Sequence, residues 1–85
     1  MKHLTFMKVI ENGNTCMQVA GPAEERADFL IRYQTALWPD WRRNPLARQS
    51  LEATVTRTRQ STYTVVAYSC PTTIKAFHEA TYRVA

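Results

Sequence analysis

The first twenty residues alternate between apolar and polar positions and are split by Asn12-Gly13. That dipeptide is a strong hairpin signal, because a type I′ turn needs positive φ at both central residues. With those two as the turn, Ile10 faces Thr15, Val9 faces Cys16, Lys8 faces Met17 and Phe6 faces Val19. Leu4, Phe6, Ile10, Met17 and Val19 then share one side of the hairpin, the expected core face. The other side places Met7, Val9 and Cys16 among polar neighbours, more apolar surface than water should meet. It is therefore a candidate for cover by the rest of the domain, by a partner, or by a second copy in a homodimer.

The period changes after Gly21-Pro22. Proline suits the first helical position, and Glu24 and Glu25 complement the positive end of the helix dipole. Ala23, Ala27, Leu30, Tyr33 and Leu37 recur at helical spacing, with Asp28 and Arg32 paired at i,i+4 on the wet side. Pro39 ends this helix, since the residue before proline is pushed out of the helical region. Trp38 is expected to finish the apolar stripe.

A loop rich in aromatic and basic residues, WPDWRRNP, follows over Trp38 to Pro45. Beyond it, LEATVTRTRQSTYTVVAYSC is dense in Thr, Val and Tyr and reads as two strands joined near Arg59 to Ser61. Leu51, Ala53, Val55, Val66 and Tyr68 would share a face. A helix over Leu46 to Thr56 is the alternative reading. Pro71 then starts a last helix, with Ile74, Phe77 and Thr81, flanked by Ala76 and Ala80, as its apolar stripe. The order ββαββα predicts a single α+β domain over residues 1–85. Its architecture would be a two-layer sandwich, a four-stranded antiparallel sheet with two helices on one face.

Length and composition narrow the function. At 85 residues, 45% apolar and 21% charged, the chain has the make-up of one small globular domain. Two cysteines, Cys16 and Cys70, stand far apart and outside any CxxC spacing, which argues against a disulfide framework. Lys8 interrupts the N-terminal apolar run that a signal peptide would need, and no stretch approaches a membrane span. The setting expected is cytoplasmic, in a cell or in the cytoplasm of an infected host cell.

Charge is +4 overall but unevenly placed. Residues 1–40 carry a net of −1, whereas residues 41–60 hold Arg42, Arg43, Arg48, Arg57 and Arg59 against Glu52 alone. Arginine is the side chain whose planar fork suits phosphate, carboxylate and aromatic faces. In a strand Arg57 and Arg59 would point to the same side at a hairpin tip, with Tyr63 close across the turn. Trp41, beyond the helix and beside two arginines, has the composition of an exposed binding anchor. Asp40 is expected to pair locally with Arg42 or Arg43.

Catalytic and cofactor signatures are absent from this sequence. His3, Cys16, Cys70 and His78 have no metal-like spacing, and with glycines only at 13 and 21 no phosphate-cradling glycine loop can form. Cys70 before Pro71 could sit at a helix N-cap that lowers its pKa, but His78 is two turns away, so a small residue closing the core is the expectation there. No cofactor and no catalytic group is expected. The function anticipated is that of a small non-catalytic binding protein that occupies the surface of a macromolecular partner. An example is an anti-CRISPR-like inhibitor, encoded by a phage or mobile element, of a host nuclease or defence complex. Its partner-binding residues would be Trp41, Arg42, Arg43, Arg48, Arg57, Arg59 and Tyr63. A protein or ribonucleoprotein is the favoured partner. The alternative is a nucleic-acid-binding accessory protein that uses the arginines on phosphates and Trp41 or Tyr63 for stacking.

Overall fold

The computed structural model describes residues 3–82. Its elements run β1 (Thr5–Glu11), β2 (Asn14–Ala20), α1 (Ala23–Leu37), a 3-10 turn (Trp41–Arg43), α2 (Pro45–Arg59), β3 (Tyr63–Ala67) and α3 (Pro71–Tyr82). The class is α+β, with three helices and a three-stranded antiparallel sheet ordered β1-β2-β3.

The first hairpin has the register its turn dictates. Asn12 and Gly13 have φ of 53° and 79°, and the pairs Phe6–Val19, Lys8–Met17, Val9–Cys16 and Ile10–Thr15 follow. The second expected hairpin does not exist. Residues 45–59 form a helix in place of a strand, so β3 pairs with the central strand β2, in a register that sets Met17 against Val66 and Cys16 against Ala67.

Local chemistry explains the correction. Asn44 caps α2, its side-chain oxygen accepting from the backbone N–H of Leu46 at 3.0 Å and of Ala47 at 3.1 Å, while Pro45 fills the first helical position. Ala47, Leu51, Val55 and Thr58 are then spaced for one helical face, of which Val55 and Thr58 are buried. Threonine is a poor helix former, and here Thr54 and Thr56 donate their hydroxyls to the carbonyls of Ser50 and Glu52 one turn back. The helical alternative is the one the chain takes, extended to Arg59.

Packing follows from these faces. One side of the sheet presents Leu4, Val19 and Val66 to Phe29, Leu30 and Tyr33 of α1 and to Ala76, Phe77 and Ala80 of α3. Phe6 joins through ring contacts, 5.7 Å from Phe29 and 5.3 Å from Phe77 between centroids. Ile10, expected in this core, lies on the same face but near the turn end of the hairpin, where it is 73% exposed. α2 packs against α1, and Arg59 near its end meets Glu24 near the start of α1, so the two helices run antiparallel.

Arg26 joins these parts. Only 2% exposed, it donates to the Gly21 and Thr58 carbonyls, to the carbonyl and hydroxyl of Ser61, and to the Thr64 hydroxyl. Gly21 itself has a φ of 141°, and a Cβ there would stand 2.7 Å from the His3 carbonyl. No described helix is long and apolar enough to cross a membrane.

Candidate functional site: an arginine-rimmed cleft

The turn after α1 reverses the expected roles of the two indoles. Pro39 stops the helix, Trp38 becomes its C-cap, and the Trp41 N–H returns to the Trp38 carbonyl at 3.1 Å. Trp38 is left 43% exposed, while Trp41 is 7% exposed and donates its indole N–H to the Thr35 hydroxyl at 3.0 Å. Trp41 therefore works as a packed side chain with one face under Arg42, whose guanidinium carbon lies 4.5 Å from the ring centroid. The exposed anchor read from the sequence is not there.

Beside Trp41 the surface opens into a cleft of about 510 Å³. Buried or half-buried side chains make its floor: Ile31 of α1, Trp41, and Leu51 and Val55 of α2. Exposed side chains make its rim, namely Arg42, Arg48 and Arg59, with Glu52 and Thr56. The volume falls in the range of about 300–1,000 Å³ common to ligand pockets, and the lining is apolar within and cationic outside.

Helical geometry sorts the remaining arginines. At about 100° per residue Arg57 and Arg59 diverge by about 160°, so the shared side expected of a strand is lost. Arg59 joins the cleft, whereas Arg57 does not line it and donates to Thr54 at 3.1 Å. Arg43 is exposed in the 3-10 turn outside the cleft. Tyr63, half exposed, begins β3 opposite Ala20 and belongs to the sheet. Of the seven residues expected to bind, the fold brings Trp41, Arg42, Arg48 and Arg59 together and sends Arg43, Arg57 and Tyr63 elsewhere.

The rim charges differ in their engagements. Arg59 holds Glu24 with its Nε 2.9 Å from a carboxylate oxygen. Arg48 donates to the Arg42 carbonyl, and neither Arg42 nor Arg48 forms an ion pair with a described carboxylate. Asp40 does not pair with Arg42 or Arg43; its backbone carbonyl accepts the Arg43 N–H. Glu52 also stands in the cleft without an ion pair to a described residue.

A strand from Leu51 to the turn near Arg59 would not gather Ile31, Leu51 and Val55 into one site. The signal that finds them is Asn44-Pro45, a cap followed by proline at the first helical position, which sets the phase of everything downstream.

Three other features lie apart from the cleft. Cys70 is exposed rather than core-closing, and its thiol pKa is held below the ordinary value, chiefly by the hydrogen bond with the Thr73 side chain at 2.8 Å. His78 is engaged with the Tyr68 hydroxyl at 3.0 Å. No cluster of three potential metal ligands occurs among the described residues. Met7, Val9 and Cys16 lie with Val65 and Ala67 on the sheet face away from the helical core, where Met7 is 55% exposed.

No protein family matches this chain, and no curated protein or solved structure shows significant similarity to it.

Proposed function

We propose that the chain is a non-catalytic binding protein that acts by occupying the surface of a protein partner, as a phage- or mobile-element-encoded inhibitor of a nuclease or defence complex does. The observation that carries this reading is the cleft, an apolar floor of Ile31, Trp41, Leu51 and Val55 under a rim of Arg42, Arg48 and Arg59. Protein interfaces combine an apolar centre with arginine and a polar rim. A site that holds single-stranded nucleic acid by base stacking would need an aromatic face open to a base. Trp41 has its indole buried and covered on one side by Arg42, and Tyr63 stands on the sheet, so neither aromatic serves the arginines in that way.

The test places a photo-crosslinking residue at Thr56, on the cleft rim, and separately at Ala53, exposed outside the cleft. Nuclease-resistant adducts from host lysate that carry the mass of a second polypeptide, at position 56 and not at 53, support the reading. It is overturned by nuclease-sensitive adducts, or by labelled DNA or RNA that binds in anisotropy at about 50 mM salt and is released by about 200 mM.

A second, separate contact is proposed on the open sheet face. Met7, Val9, Val65 and Ala67 surround the buried Cys16 with uncharged side chains, and Glu11 brings charge to this face at the turn end of the hairpin, so two copies can meet there as a homodimer with their like charges kept to the margin. Light scattering decides it: a dimer converted to monomer by Val9→Asp supports the contact, and a wild-type monomer removes it.

A further inference from the structure

We infer that the occupant of the cleft is an acidic, amphipathic protein segment, one that seats a large apolar side chain on the floor and sets carboxylates against the rim arginines. This rests on the protein-binding reading above and adds the chemistry of the partner. Three observations carry it. The rim presents three guanidinium groups against the carboxylate of Glu52 and that of Glu24, which pairs with Arg59, so a net positive charge remains and the cleft favours an anionic occupant. Two of the three, Arg42 and Arg48, hold no described carboxylate, so the Arg42 fork, and the N–H groups of Arg48 beyond the one given to the Arg42 carbonyl, can meet a carboxylate acceptor. The third already shows the chemistry within the fold, since Arg59 takes Glu24 with both side chains substantially exposed, at 52% and 77%. A partner carboxylate can replace Glu24 there without uncovering a buried charge.

The floor supplies what charge alone does not. Ile31, Leu51 and Val55, with the edge of Trp41, form an apolar surface that a purely ionic ligand would leave wet. Burying a large apolar side chain on it adds affinity that survives salt, while the arginines set orientation and on-rate. A polyphosphate backbone meets the second requirement but not the first.

Trp41 is a reporter inside the site, and in a Trp38→Phe background it is the sole tryptophan. The probe is a short peptide of Glu and Ala with a central Phe-Leu pair. Controls are the same peptide with Lys for Glu, the same peptide with Ser for Phe and Leu, and an oligothymidylate. Only the first should move Trp41 emission to saturation. Its affinity should fall at least about tenfold with Arg42→Glu and Arg48→Glu together, fall similarly with Leu51→Ser, and stay unchanged with Arg57→Glu on the far side of α2. Each variant is first checked to melt as a folded protein, and Arg43→Glu with Arg57→Glu, both outside the cleft, matches the net charge lost by the double rim variant. If the acidic peptide fails to bind, or binds equally without its apolar pair, this inference is overturned while the cross-linking contrast still judges the protein-binding reading. If the oligothymidylate alone binds, through Arg42 and Arg48, both are overturned.

Discussion

Arg26 on α1 donates to both the carbonyl and the hydroxyl of Ser61, 35 residues further along the chain. Its partners among the described residues are carbonyl and hydroxyl oxygens, none of them a carboxylate. A buried cation is tolerated here because it lies at the C-terminal end of α2, where unsatisfied carbonyls carry partial negative charge. The fork ties together the exit of the first hairpin at Gly21, the end of α2 at Thr58 and the start of β3 at Thr64. Arg26→Met removes this link and leaves carbonyls facing an apolar chain. Urea unfolding should show a loss of about 3 kcal/mol, and Arg26→Lys, which keeps charge but not the fork, should recover only part of it.

The two tryptophans should behave oppositely in solution. Trp41 is buried and bonded to Thr35, so its emission should be blue-shifted and shielded from acrylamide, whereas Trp38 should account for most of the quenching. Trp38→Phe should remove the quenchable component at little cost in stability. Trp41→Ala should destabilise by about 3 kcal/mol. Equal quenching of both indoles would contradict the packed turn.

Thiol labelling should separate the two cysteines. Cys16 is buried and Cys70 exposed, so a thiol reagent at about pH 7 should modify Cys70 first. The hydrogen bond from Thr73 favours the thiolate, and the lowered pKa raises the reactive fraction at neutral pH. Thr73→Val should therefore slow labelling at about pH 7 and leave it nearly unchanged at about pH 10.5, where the thiol is ionised in either case.

Glycine replacements should rank by environment. A Cβ on Gly13 meets nothing within 4 Å, so Gly13→Ala costs only the strain of positive φ, about 1 kcal/mol in thermal unfolding. At Gly21 the same methyl adds a clash with the His3 carbonyl to a φ of 141°. Gly21→Ala should be the more destabilising of the two.

What the sequence disclosed depended on how local each signal was. Asn12-Gly13 determines a turn within two residues, and the register of β1 on β2 follows from it. Pro22, Glu24 and Glu25 mark the start of α1 in the same local way, as Pro71 marks that of α3. α2 was obscured because threonine and valine favour strands on average, while the stripe of Ala47, Leu51, Val55 and Thr58 gains its meaning only against α1. The arginine cluster was visible, but its division into Arg48 and Arg59 at the cleft and Arg57 outside it depends wholly on the helical phase. The burial of Trp41 is a tertiary outcome that no spacing announces, since a 3-10 turn folds it back under the end of α1.

The helical assignment of residues 45–59 can itself be tested by one chemical change made at two places. At the N-cap, the Asn44 side chain satisfies two backbone N–H groups that otherwise lack partners, so Asn44→Ala should cost about 1 kcal/mol. On the exposed flank, Thr56 gives its hydroxyl to the Glu52 carbonyl, which already serves the helix, and its branched Cβ restricts the chain. Thr56→Ala should raise stability by about 0.5 kcal/mol, since alanine is the better helix former and no buried contact is lost. In an exposed strand the sign at residue 56 would reverse, because threonine is favoured there over alanine. Denaturant midpoints of the two variants, moving in opposite directions from wild type, would establish α2 and with it the phase that gathers Arg48 and Arg59 at one cleft.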